Sequence, residues 1–185
     1  MNHPLTPGDE ATLAASLRPL IRDVPDFPRP GILFRDITPL LAEPPAFQAA
    51  VGWLAGRLAV TGTQAILAIE SRGFIFGAAV ADRLGLPLHL VRKPGKLPRR
   101  AHRISYTLEY GEDTLELHED VIVPGRRYAI VDDLVATGGT AAAVARLVRQ
   151  QGGTLVECVF LVELLPLGGR RMLGEVPVSS LITYP

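Results

Sequence analysis

Four near-continuous apolar runs constrain this chain most: AILAI at 65–69, LPLHLV at 86–91, YAIV at 128–131 and LVECVFLVEL at 155–164. A strand with one wet face alternates, so a run that does not alternate has both faces covered. Between the runs lie helical patterns at 73–84 and 139–151, the second closed by Gly152 and Gly153. Strands alternating with helices predict an α/β fold: a mostly parallel, twisted sheet flanked by helices on both faces and joined by right-handed crossovers. Upstream, Leu13, Leu17, Leu20 and Ile21 recur at helical spacing within 9–23. Phe47, Val51, Leu54 and Leu58 do the same after a Pro44–Pro45 helix start. The 185 residues suffice for a single domain, 1–185, with a substantial core. Trp53, His89 and Cys158 fall inside apolar patterns and read as core.

Charge narrows the function. Nineteen basic residues balance nineteen acidic ones, so no global cationic field favours nucleic acid or an anionic membrane surface. The single cysteine excludes an internal disulfide and any CxxC framework. The opening MNHPLTPGDE has no basic and apolar secretory pattern, and no run reaches the length of a membrane span. The expectation is a cytoplasmic protein.

The balance is not local. RKPGKLPRRAHR, from Arg92 to Arg103, holds six cations and no acid, and EYGEDTLELHED, from Glu109 to Asp120, holds six acids and no cation. Only two of the basic residues are lysines, Lys93 and Lys96, and both lie in the first block. A lysine is a compact, mobile point charge suited to gripping and releasing a polyphosphate. The surrounding excursion, about 94–125, has many turn residues and weak alternation, and it reads as a flexible two-stranded flap.

The most informative stretch is YAIVDDLVATGGTAAAVARLV, 128–148, in which a buried strand runs into Asp132 and Asp133, then a small-residue turn, then a helix. Singly, Thr137 reads as an N-cap, Gly138 and Gly139 as a tight turn, and the acids as a solvated strand end. Together they read as a phosphate cradle, with backbone N–H groups at a helix start and hydroxyls from Thr137 and Thr140. Adjacent carboxylates repel phosphate, so a neutral group must separate them from it. A ribose does so: its vicinal hydroxyls donate to Asp132 and Asp133 while its 5-phosphate sits in the turn. A second strand–turn–helix, ILAIESRGFIFGAAVA at 66–81, offers Arg72 as a bidentate anion clamp and Gly73 for close backbone approach. Neither GxGxxG nor GxxxxGK[ST] occurs, which disfavours dinucleotide and P-loop enzymes.

VDDLVATGGT resembles the phosphoribosyl pyrophosphate motif of type I phosphoribosyltransferases, and FPRPGILFRDITPLL, ESRGF, RKPGKLP and SYTLEYG together resemble the adenine phosphoribosyltransferases, in order from about Ile21 to Tyr184. The resemblance implies that family's fold, with a small N-terminal hood and the flap, and transfer of ribose 5-phosphate from 5-phosphoribosyl 1-pyrophosphate to N9 of adenine with Mg²⁺. It implies that Ala136, Thr137, Gly138, Gly139 and Thr140 hold the 5-phosphate and Asp132 and Asp133 the ribose. Ser71, Arg72 and Gly73 would meet the pyrophosphate with Arg92, Lys93 and Lys96, the last from the other subunit of a homodimer. Leu33, Phe34 and Arg35 would form one wall of the adenine pocket and Leu164 the other. Glu109, flanked by Tyr106 and Tyr110, would be the acid/base residue, with Arg72 beside the leaving group; no metal ligand set is implied, the Mg²⁺ travelling with the substrate.

Arg99, Arg100, His102 and Arg103 make the flap more cationic than the family pattern, serving the pyrophosphate end or simply exposed. Two rivals stay open: a phosphoribosyltransferase for another purine (hypoxanthine, guanine or xanthine), and a non-catalytic module that senses phosphoribosyl pyrophosphate. GILFRD with LVEL argues for adenine. The Lys-bearing flap with Glu109 argues for catalysis.

Overall fold

A computed structural model describes residues 6–108 and 111–185. Its centre is a five-stranded, fully parallel sheet in the order β4 (Leu88–Val91), β3 (Ala65–Ile69), β7 (Arg127–Val135), β8 (Thr154–Leu164), β9 (Val178–Tyr184). Two antiparallel pairs stand beside it: β1 (Arg22–Pro25) with β2 (Leu33–Asp36), and β5 (Ala101–Leu108) with β6 (Gly111–His118). The helices are α1 (Pro7–Leu17), α2 (Thr38–Leu41), α3 (Pro44–Ala59), α4 (Gly73–Leu84), α5 (Gly139–Gln150) and α6 (Gly169–Met172). Thr6 caps α1 through a capping box with Asp9, and Gly85 closes α4 in the left-handed region at φ 63°.

Period-2 alternation in the central strands divides the core into two layers. Ile66, Ala129, Val131, Val159 and Leu161 point to the face covered by α1, α3 and α4, where Leu54, Leu58, Phe76 and Val80 meet them. Leu67, Ile69, Tyr128, Ile130, Cys158 and Phe160 point to the other face, under Val144, Leu147 and Val148 of α5. Gly77 of α4 lies so close to the sheet that a Cβ there would collide with the Cβ of Ala68. Since α4 lies on one face and α5 on the other, adjacent strands β3 and β7 flank the point where the winding reverses, and a crevice opens beyond their carboxyl ends.

The sequence expectations meet this fold unevenly. The strand at 65–69 and the helix at 73–84 are found at those bounds, and β8 and α5 lie within a residue of theirs. The helical spacing at 9–23 does not persist: the α-helix ends at Leu17 and a 3₁₀ turn carries Arg18–Leu20, with Pro19 withdrawing a backbone donor. β7 runs past Asp132 and Asp133 to Val135, because Asp132, Leu134 and Val135 stay in register with Phe160, Val162 and Glu163 of β8. The hairpin β1–β2 and the edge strand β9 add to what periodicity revealed. Trp53 and Cys158 are core residues, and burial pushes the Cys158 thiol up.

The excursion at 94–125 is the expected two-stranded ribbon, but its base belongs to the core. Ile104, Tyr106, Leu115 and Leu117 alternate along β5 and β6, and with Val121 and Ile122 they complete the layer under α5. The charged blocks overlap the ribbon unequally: β6 lies wholly within the acidic block, whereas only Ala101–Arg103 of the basic block enter β5. Arg103 faces Glu116 and donates to it at 2.7 Å, and Arg99 pairs with Asp120 at 2.6 Å. Arg92 of the first block bridges in antiparallel fashion to Glu116. Replacing Leu117, which is fully buried, by Ala is expected to cost about 2–5 kcal/mol of global stability. Chemical denaturation would measure this, and a loss confined to local ribbon signals would place the base outside the core.

Candidate active site

Two lobes of one crevice open at the carboxyl ends of β3 and β7. The larger, about 470 Å³, is lined by Ile69, Glu70, Ser71, Arg72, Lys93, Asp132, Asp133, Leu134 and Thr140. The smaller, about 120 Å³, is lined by Ala136, Thr137, Gly138, Thr140 and Ala141 with Asp132, Leu134, Val135 and Phe160. Asp132, Leu134 and Thr140 border both, so the two turns singled out in the sequence face one space. The smaller lobe lies at the N-terminus of the twelve-residue α5, where unpaired N–H groups and the helix dipole favour an anion.

Burial and mutual repulsion dominate the acids. Burial first, then the adjacent Asp133 charge, raises the Asp132 carboxyl well above the ordinary carboxylate range. Asp133 is also raised by burial, against the opposing pull of Arg72, whose Nε lies 3.0 Å from its Oδ2. The Asp133 N–H donates to Asp132 Oδ1 at 2.8 Å. Arg72 Nη1 is buried without a hydrogen-bond partner, so part of this guanidinium's capacity is unused. Glu70 behaves oppositely: the Arg92 Nε–H at 3.0 Å and the Lys93 N–H at 2.9 Å hold its carboxyl below the ordinary range. Arg92 therefore anchors the Lys93 turn through Glu70 and lies outside the lining. Lys93 borders the larger lobe; Lys96 is exposed on the same turn and outside it.

Glycine is required where backbone or carboxylate comes close. A Cβ on Gly73 would sit 2.5 Å from Asp132 Oδ1, so a larger residue would displace the acid. Gly138 has φ 78°, and a Cβ on it would collide with the Gly169 carbonyl. A Cβ on Gly169 would in turn strike the Ala136 carbonyl. The Gly168–Gly169 turn thus braces the phosphate-type loop from behind. Sequence reasoning missed this brace, because a backbone-to-backbone contact leaves no mark beyond the glycines themselves.

The hairpin overhangs the crevice. Phe34 of β2 packs edge-on against Phe27, with ring centroids 5.0 Å apart, and the Arg72 guanidinium lies 4.9 Å from its ring centroid. Leu33 beside it is 45% exposed. Arg35 turns away, pairing with Asp23 and stacking on Tyr184 at 3.8 Å. Leu164 ends β8, next to Tyr184 of β9. Thr140 is not free: its hydroxyl donates to the Tyr106 hydroxyl at 3.1 Å, and Tyr106 donates to Asp113 at 3.2 Å. The ribbon therefore touches the phosphate-type loop. Glu109 and Tyr110 lie outside the described residues.

The raised carboxyls yield a prediction with a definite sign. An acid whose folded pKa exceeds its unfolded value destabilises the fold above that folded pKa, and the penalty fades as pH falls through it. Asp132→Asn, which keeps an acceptor for the Asp133 N–H, is expected to raise Tm at neutral pH by roughly 2–4 °C. The difference should shrink as pH falls below the raised pKa toward the ordinary carboxylate range. Thermal unfolding across pH 4–8 would check this, and a variant less stable than the parent at neutral pH would contradict it.

Known proteins share this arrangement. The phosphoribosyl transferase domain matches residues 38–178. The adenine phosphoribosyltransferase of Thermosynechococcus vestitus is 52% identical over 91% of this chain and 99% of its own length. The crystal structure of the adenine phosphoribosyltransferase of Thermoanaerobacter pseudethanolicus superposes with a TM-score of 0.90 at 46% identity, covering 92% of this chain and 99% of that one. That of Saccharomyces cerevisiae, crystallised with adenine and an imino-altritol bisphosphate, superposes with a TM-score of 0.85 at 39% identity, covering 93% and 99%. A crevice joining two anion-type lobes across paired acids, on a chain about half identical to such relatives along nearly its whole length, belongs to the adenine phosphoribosyltransferase family within the type I phosphoribosyltransferases.

Proposed function

We propose how this crevice performs its family's purine-salvage reaction, in which the 5-phosphoribosyl group of 5-phosphoribosyl 1-pyrophosphate passes to N9 of adenine and yields AMP and pyrophosphate. The observation that carries the reading is the meeting of the two lobes at Asp132. In it the 5-phosphate accepts from the N–H groups and hydroxyls of Ala136, Thr137, Gly138, Gly139 and Thr140, with the α5 dipole behind it. Thr140 would exchange its Tyr106 hydrogen bond for the phosphate. The ribose hydroxyls donate to Asp132 and Asp133 and relieve the repulsion between them.

Ser71, Arg72 and Gly73 receive the pyrophosphate, with Lys93 from the neighbouring turn, Arg92 holding that turn, and Lys96 from a partner subunit of a homodimer. The C1–oxygen bond breaks with its electron pair leaving on pyrophosphate, and N9 of adenine supplies the pair for the new C1–nitrogen bond. Adenine lies between Leu33–Phe34–Arg35 of the overhanging hairpin and Leu164. The backbone of residues 33 and 35 addresses the base edge, in keeping with the outward turn of the Arg35 side chain. Glu109 takes the N9 proton directly or through N7, and the β5–β6 flap closes over the oxocarbenium-like ribose to exclude water.

Mg²⁺ is the expected cation. Two adjacent buried carboxylates suit a dication or a diol equally, but among the described residues no three His, Cys, Asp or Glu side chains converge. Its remaining ligands would therefore be substrate oxygens. When bound, it neutralises the departing pyrophosphate. Among the described residues no helix is long and apolar enough to cross a membrane; a cytoplasmic setting belongs to the proposal.

Isothermal titration with phosphoribosyl pyrophosphate separates these roles. Asp132→Ala with Asp133→Ala is expected to abolish binding. Glu109→Ala is expected to lower kcat about 10²–10⁴-fold and leave that affinity nearly intact. Equal loss of binding in both would refute the division of labour.

A further inference from the structure

The two walls assigned to adenine come from distant parts of the chain, β2 in the hairpin and the end of β8. One side chain is attached to both. Tyr184 is the register partner of Leu164 across β8 and β9, so its backbone is fixed to the second wall. Its ring carries the first: the Arg35 guanidinium carbon lies 3.8 Å from the ring centroid, within cation–π range. Arg35 also pairs with Asp23 of β1, and its Nε is buried with no hydrogen-bond partner. A second cation, Arg18, lies 4.7 Å from the same centroid and donates to the Thr183 carbonyl at 2.9 Å. Tyr184 itself is only 8% exposed, packed into the α1–α3 side of the core.

We propose that Tyr184 is a positioning residue for the nucleobase, setting the width of the adenine slot by tying the Arg35 end of the hairpin to the Leu164 end of the sheet. The proposal rests on the assignment of Leu33–Arg35 and Leu164 as the base walls. Another contact of the hairpin with the body, Phe34 with Arg72, lies at the pyrophosphate side of the crevice. Tyr184 is therefore the tie on the base side, and its loss would misplace the base and spare the ribose phosphate. Displacement by a fraction of an ångström is enough to weaken a planar ligand held between two walls. The tie depends on the ring face, so a phenyl ring serves as well as a phenol.

The test is steady-state kinetics with each substrate varied in turn. Tyr184→Ala is expected to raise the KM for adenine about tenfold, the scale of a desolvated cation–π contact, while that for phosphoribosyl pyrophosphate stays within about twofold. Tyr184→Phe should restore the parent value. Equal rises in both KM values, or a Phe variant as impaired as the Ala variant, would overturn the proposal. Where Tyr184→Ala gives no cooperative thermal transition, the exposed Arg18→Ala decides. A rise of roughly two- to fivefold in the adenine KM supports the tie, and an unchanged value overturns it. Leu164→Ala separates this from the underlying reading. An unchanged adenine KM there removes the wall assignment, whereas a raised one beside a flat Tyr184→Ala removes only the positioning role.

Discussion

The structure depends on two acids that the fold alone would not choose. Asp132 and Asp133 are consecutive in the central strand, Asp133 buried and Asp132 half-buried, with Arg72 as the nearby compensating cation. Much of the local architecture follows from keeping them there. β3 must end one turn before Arg72 so that α4 starts on the opposite face, and Gly73 must lack a side chain because Asp132 fills that space. β7 must continue beyond the acids so that its pairing with β8 holds their backbone rigid. A ligand that donates hydrogen bonds or positive charge to this pair offsets the cost of holding the two carboxyls together.

The ribbon β5–β6 is bound into the fold at its base. Its base supplies Ile104, Leu115 and Leu117 to the layer that α5 alone would leave incomplete. Its ion pairs, Arg103 with Glu116 across the strands and Arg99 with Asp120 just beyond their ends, match the basic block to the acidic one and support the register, since a one-residue slip would exchange the faces. The extra cations of this segment are thus largely committed to the ribbon itself. Buried Glu116 also accepts from the Gly95 N–H at 2.9 Å, so the turn bearing Lys93 and Lys96 is fastened to the ribbon. The ribbon is thus anchored at a base that cannot leave the core cheaply.

What could be read in the sequence follows from how each element is stabilised. The strand at 65–69 is buried along its whole length and bounded by polar turns, so its limits coincide with its hydrophobicity. The extension of β7 through Asp132 and Asp133 was hidden because the acids broke the apolar run. Strand β9 was hidden by Ser179 and Ser180; Ser179 satisfies itself by donating to buried Glu157 at 2.5 Å, a contact with no local signature. The ribbon's share of the core was overlooked because Ile104, Tyr106, Leu115 and Leu117 are separated by charged and hydroxyl residues, the pattern of a sheet with one dry face. The crevice was legible because its chemistry is concentrated in two short strand–turn–helix stretches, whereas the Gly168–Gly169 brace and the Tyr184 stack are made across the fold.

Hairpin, ribbon and sheet therefore meet the crevice with different rigidities. The phosphate-type loop is braced on one side by the Gly169 backbone and touched on the other by Tyr106, so its amides are oriented before any anion arrives. The base side is assembled from a two-stranded hairpin of four-residue strands, too short to be stable alone, and held by aromatic and cation–π contacts to Arg72 and Tyr184. A rigid anion site and a tied but lighter base wall suit a reaction whose ribose must be held still at both of its phosphates. Under the proposed assignment the planar base enters and leaves past Leu33 and Phe34, on the more lightly held side of the crevice.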